Sequence, residues 1–226
     1  MTMPMYVPPE QLIKDRAEFA KKGIARGRPI VVISYADGVL LLGENPSGSL
    51  QKIGEIYDAV AFAGVGRFNE FESLRVAGIR YADLKGYSYG RLDVTAKGLA
   101  NAYAQTLGQV FTHEVKPYEI ELMVVEVGDD TGGTRIYRVQ FDGTLQDLDH
   151  FGAIGGEDED LTPRIEEGFT EGMDLAAALR LGCEAIESDD GEVVPPDEWE
   201  AAVLDRTNGR RKFRRLDAAV VAAARE

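Results

Sequence analysis

The chain has 226 residues, 44% hydrophobic and 28% charged, a composition that buries a real core and excludes collagen-like and disordered chains. With 39 acidic against 25 basic residues its net charge is −14, which repels nucleic acid and anionic membranes at long range. No run reaches the roughly eighteen apolar residues of a membrane span, so neither nucleic acid nor a membrane is expected as a partner.

The first nine residues read as a flexible tail with three prolines. PPEQLIKDRAEFAKKG predicts a helix from Pro9 or Glu10 to Lys22, with Pro tolerated at its start and Gly23 at its end. Pro29–Tyr35 and Val39–Gly43 are β-branched or Leu-rich runs parted by Ala36-Asp37-Gly38, and Asp-Gly between such runs signals a hairpin. Lys52–Tyr57 and Ala59–Val65, split at Asp58, predict a second pair. Apolar residues at helical spacing predict two long helices, Phe68–Asp83 and Asp93–Thr112, joined by Gly86–Gly90. Strands follow at Glu119–Val127, Thr134–Gln140, Thr144–Asp147 and Phe151–Ile154. Helices are expected at Thr162–Gly168, with Thr162-Pro163 as cap and first turn, and at Asp174–Ser188. Glu198–Asp205 and Lys212–Leu216 read as strands, and the Ala-rich Asp217–Arg225 as a terminal helix. Blocks of strands alternating with helix pairs argue against a parallel βαβ sheet. They predict an α+β fold, a four-layer αββα sandwich of two antiparallel sheets between helix layers, in one domain spanning 1–226.

Few motifs carry chemistry. Gly64-Val65-Gly66 follows a strand and precedes a helix, but Asn69 stands where a dinucleotide fingerprint needs its third glycine. The plainer reading is a close backbone approach at a strand–helix corner. His113 and His150 are the only imidazoles, and Cys183 is the only thiol and lies on an apolar helical stripe. No metal site and no cofactor is therefore expected. The lone cysteine and a start without a signal-peptide pattern predict a cytoplasmic protein. The acidic run Glu157–Asp160 reads as a solvated loop. Arg210–Arg215 packs five bases into six residues and reads as a charge-protected edge strand or salt-bridging face. Ser34 sits mid-strand without a nucleophile elbow, and no Ser–His–Asp arrangement is defensible. Lys52 opens an otherwise apolar strand. It is either a solvated strand end or, in a cleft, a compact point charge for a carboxylate, and both readings stay open.

Three long stretches resemble proteasome α-subunits, most closely the actinobacterial kind: QLIKDRAEFAKKGIARGR (11–28), GVLLLGENPSGSLQKIGEIYDAVAFAGVGRFNEFESLR (38–75) and GYSYGRLDVTAKGLANAYAQTLGQVF (86–111), with GAIGG (152–156) as a later match. The resemblance implies the N-terminal-nucleophile hydrolase fold, in agreement with the block order above. It implies a seven-membered ring of α-subunit neighbours that caps a ring of catalytic β-subunits. That ring gates access of unfolded, tagged protein substrates in the Pup-proteasome pathway and docks the C-terminal tail of an AAA ATPase. Catalytic relatives begin their first strand with a Thr, Ser or Cys whose free amine acts as base. Here that junction reads Gly27-Arg28-Pro29-Ile30, so no catalytic residue is expected, although Lys52 and Glu44 fall where or near where those relatives keep a lysine and a supporting acid. The resemblance instead assigns Lys52 and Gly66 to the pocket that receives the ATPase tail. It assigns Met1, Thr2, Met3, Pro4, Met5, Tyr6, Val7 and Pro8 to the gate, though the Tyr-Asp-Arg gating motif of other family branches is missing. Two alternatives are a self-processing hydrolase of the same fold and a stand-alone binding module.

Overall fold

A computed structural model describes residues 8–129, 133–156, 158–187 and 193–225. A helix, α1 (Pro9–Ile24), leads into two hairpins: β1 (Ile30–Tyr35) with β2 (Gly38–Glu44), and β3 (Ile53–Tyr57) with β4 (Val60–Gly66). Two long helices follow, α2 (Phe68–Ser88) and α3 (Ala96–His113). Next come β5 (Ile120–Glu126), β6 (Arg135–Val139), β7 (Leu145–Leu148) and β8 (Phe151–Ile154). The chain continues through α4 (Asp158–Gly168), α5 (Leu175–Glu187), β9 (Trp199–Asp205), β10 (Phe213–Leu216) and α6 (Ala218–Arg225). The order of blocks is the one expected from sequence.

The strands form two five-stranded sheets, in the orders β10-β9-β2-β1-β8 and β3-β4-β5-β6-β7. Every pairing in both is antiparallel. Strand alternation sorts β1 into two faces: Ile30 and Val32 point into the deck between the sheets, with Leu41, Ala63, Met123 and Leu204. Val31 and Ile33 point the other way, onto Leu161, Ile165, Leu179 and Cys183 of α4 and α5. Because both faces are covered, these strands read as continuous apolar runs rather than as polar–apolar alternation. On the far side of the second sheet, Phe62, Leu122 and Val124 meet Phe71, Leu74, Leu99, Tyr103 and Leu107 of α2 and α3. The result is the four-layer αββα sandwich.

Glycine placement departs from expectation in instructive ways. Gly23 does not end α1, which runs on to Ile24. It is small because a Cβ there would overlap the Glu119 carboxylate. In the first hairpin, Tyr35 pairs directly with Gly38. The turn is therefore Ala36-Asp37, and Gly38 opens β2 where a Cβ would strike the Leu204 carbonyl of β9. α2 continues five residues beyond Asp83, through Gly86, whose missing side chain seats the Tyr57 hydroxyl. A 3-10 turn at Arg91–Asp93 precedes α3, which starts at Ala96. α4 starts at Asp158, so Pro163 lies inside it rather than in the first turn. Asp158 to Asp160 thus belong to the opening of a helix and not to a loop; Glu157 lies outside the described residues. Among the described residues no helix is long and apolar enough to cross a membrane.

Candidate functional site

The sequence directs attention to the start of β3. The preceding loop is tied down by its own polar groups: Asn45 Oδ1 accepts the Ser47 N–H at 3.2 Å, Ser47 Oγ accepts the Leu50 N–H at 3.2 Å, and Asn45 Nδ2 donates to the Leu50 carbonyl at 2.8 Å. The Lys52 carbonyl accepts the Gly64 N–H at 3.0 Å, which begins the ladder with β4. From this fixed backbone the Lys52 ammonium reaches under the head of β1. Its Nζ donates to the Glu44 carbonyl at 3.1 Å and the Arg28 carbonyl at 3.4 Å. Beside it, the Arg28 guanidinium pairs with the Glu44 carboxylate.

Burial pushes the Lys52 pKa down to about 8, with the Arg28 cation adding to the fall and the Glu200 carboxylate opposing it. Lys52 is therefore neither a solvated strand end nor a deeply buried cation. It is a half-buried ammonium held by backbone oxygens and beside ionised neighbours. A carboxylate brought to such a cation in a partly dry niche would make a charge-assisted hydrogen bond.

Gly66 closes β4 on the other side of the same connection between α1 and β1. Its φ of +109° lies in the region that favours glycine. A Cβ there would overlap the Glu119 carbonyl, and a Cβ on Gly27 would crowd the Gly66 nitrogen at 3.2 Å. The strand–helix corner is thus a close backbone approach, as read from Gly64-Val65-Gly66. Lys52 thus touches this connection at the Arg28 carbonyl, and Gly66 approaches it at Gly27. Of the residues assigned to the gate, Met1, Thr2, Met3, Pro4, Met5, Tyr6 and Val7 lie outside the described residues; Pro8 is exposed ahead of α1.

The remaining singled-out residues have structural partners. His113 Nδ1 lies 3.1 Å from the Gln109 carbonyl at the end of α3, and His150 stacks on Phe169 at 5.3 Å. Cys183 is buried in the helix–sheet core, which pushes its thiol up to about 12. Each base of the Arg210–Arg215 run meets an acid: Arg210 with Asp58, Arg211 with Glu55, Lys212 with Asp129, Arg214 with Asp205 and Arg215 with Glu200. β10 is an edge strand, so the salt-bridging-face and charged-edge readings hold together. Among the described residues no group of three or more His, Cys, Asp or Glu is placed to hold a metal ion.

Sequence reasoning missed Glu200 and Asn45, and it read Arg215 only as part of the basic run. The one available signal was an acid inside the otherwise apolar run WEAAVL, which marks a buried charge in need of partners.

Comparison with known proteins gives these residues a family. The family model described as proteasome subunit matches residues 24–203. A proteasome subunit alpha from Thermomonospora curvata is 55% identical over 219 residues, covering 96% of this chain and 95% of that protein. The chain belongs to the proteasome α-subunit family. Its similarity to α-subunits extends to Kineococcus radiotolerans, at 54% identity with 98% of this chain and 97% of that protein covered, and to Xylanimonas cellulosilytica, at 54% with 100% and 96% covered. All three relatives are proteasome α-subunits. The two antiparallel sheets between helix layers are the fold expected of a proteasome subunit.

Proposed function

We propose that this proteasome α-subunit is a non-catalytic, cytoplasmic protein of one domain, and that its ring of seven copies caps the catalytic β ring. In this reading the ring gates unfolded, tagged substrates through residues 1–8 and docks the C-terminal tail of an AAA ATPase at Lys52 and Gly66. One observation carries it: the Lys52 ammonium lies at the head of β1 beside Arg28 and Pro29, side chains that cannot attack a carbonyl. An N-terminal nucleophile needs a hydroxyl or thiol beside its own amine. Without one, a lysine in this niche has no acyl-transfer task, and its remaining chemistry is to bind an anion. Gly66 contributes bare backbone close to Gly27.

The decisive experiment uses the α/β particle with its partner ATPase. Lys52→Ala is expected to abolish ATPase-stimulated protein degradation while rings still assemble and small peptides are still cleaved by the β-subunits. Stimulation at the native level would remove the pocket. For the gate, deletion of residues 2–8 is expected to speed cleavage of a fluorogenic peptide by the assembled particle in the absence of ATPase. An unchanged rate would show that this segment does not plug the pore.

A further inference from the structure

Glu200 makes a set of contacts that the family assignment does not account for. It lies on β9, in the sheet opposite to β3, and is 9% exposed. Its Oε2 accepts the Lys52 N–H at 2.9 Å and the Asn45 Nδ2 at 2.7 Å. Its Oε1 accepts the Ile53 N–H at 3.0 Å and Arg215 Nη1 at 3.2 Å. Four donors thus converge on one carboxylate, two of them consecutive backbone N–H groups. The peptide units on either side of the Lys52 Cα are fixed to the other sheet, and with them the direction in which the Lys52 side chain leaves the backbone. Arg215 reinforces the clamp by donating to the Ile53 carbonyl and the Gln51 Oε1, each at 2.7 Å.

We propose that Glu200 is the positioning residue of this site: it aims Lys52 by gripping the peptide groups on both sides of its Cα. Its carboxylate is also a neighbouring anion that favours the charged form of the side chain. The charged groups around Lys52 come from four places: Arg28 before β1, Glu44 at the end of β2, Glu200 on β9 and Arg215 on β10. Glu44 is paired with Arg28. Burial and Arg28 favour loss of the Lys52 proton, and Glu200 opposes them. An amide does not substitute for this carboxylate. Whichever way a glutamine at 200 is turned, its NH2 faces two donors, and buried donors left facing a donor destabilise the arrangement.

This proposal rests on Lys52 as the receptor of a carboxylate, and the experiment separates the two ideas. The Lys52 side chain is titrated by NMR in α/β particles carrying isotope-labelled lysine, its signal assigned by loss in Lys52→Ala. ATPase-stimulated degradation is measured between pH 6.5 and 8.5. In Glu200→Gln the titration midpoint is expected to fall below the native one. A fall of one unit from about 8 leaves roughly a threefold smaller ammonium fraction at pH 7.5. Stimulation is expected to drop about threefold or more at pH 7.5 and to recover partly at pH 6.5, whereas Lys52→Ala recovers at no pH. Glu200→Asp keeps the charge with a shorter reach, so it is expected to hold the midpoint near the native value while still lowering stimulation. It carries the same test if Glu200→Gln does not assemble. A native midpoint in Glu200→Gln, or a fallen midpoint in Glu200→Asp, overturns the electrostatic role. Native stimulation in both overturns the aiming role. Native stimulation in Lys52→Ala sinks the docking reading instead, and the Lys52 midpoint still tests Glu200.

Discussion

At Lys52, burial works against the side chain's own charge. Its pKa falls from the ordinary 10.5 to about 8, first through burial and then through Arg28, against the pull of Glu200. Well below pH 8 the group is protonated in both folded and unfolded chains, and the cost of the half-buried charge is present in full. Between about 8 and 10.5 the unfolded chain binds more protons, so this group makes stability rise with pH. Lys52→Met is therefore expected to raise the urea midpoint of the isolated subunit at pH 7.5 and to flatten its rise between pH 8 and 10. A lower midpoint with an unchanged slope would contradict that account. The residue itself was legible as a lysine opening an apolar strand. Its surroundings were not, because Arg28 lies 24 positions before it and Glu200 lies 148 after it. Such partners meet only once the two sheets have stacked.

At the scale of the element, apolar runs and helical spacing located every strand and α-helix among the described residues, while the 3-10 turn at Pro196–Glu198 went unread and several ends were misread. Three of the errors share a cause. Glycine serves both as a helix or turn terminator and as a site of close approach, and one sequence does not distinguish the two. Gly23, Gly38 and Gly86 are all of the second kind, each emptied for a group from elsewhere in the chain. The start of α3 shows the opposite case, a local signal that was present and overlooked. Thr95 Oγ1 accepts the Gly98 N–H at 3.2 Å, and Glu126 Oε2 accepts the Ala96 N–H at 2.7 Å. Burial raises the Glu126 pKa while the Ala96 N–H holds it down. Thr95→Ala removes one of these caps and is expected to cost about 1 kcal/mol in chemical denaturation of the isolated subunit. A cost near zero would mean that the Glu126 cap alone suffices.

Across the whole molecule, α1 is bound on one side only. Ala20 and Ile24 bury against Phe141, with Phe111 and Ala17 at the margin, while Leu12, Ile13 and Phe19 remain about half-exposed. Three large exposed apolar side chains on one helix fit burial against another subunit, and the ring of copies proposed above supplies such neighbours. Leu12→Lys with Ile13→Glu is expected to leave the melting temperature of the isolated subunit within a few degrees of native. Size-exclusion chromatography with β-subunits should then show fewer complete particles. Undiminished particles would place the ring contact elsewhere. The net charge of −14 and the five matched bases near β10 together leave little unpaired positive surface on that edge. One buried atom makes such experiments simpler. The only sulfhydryl in the chain is shut inside the layer of α5 and held almost entirely as the protonated form near neutrality. A maleimide dye will therefore pass over the native protein and mark any cysteine engineered on its outside, so fluorescence can count and time the joining of subunits without first deleting a background thiol.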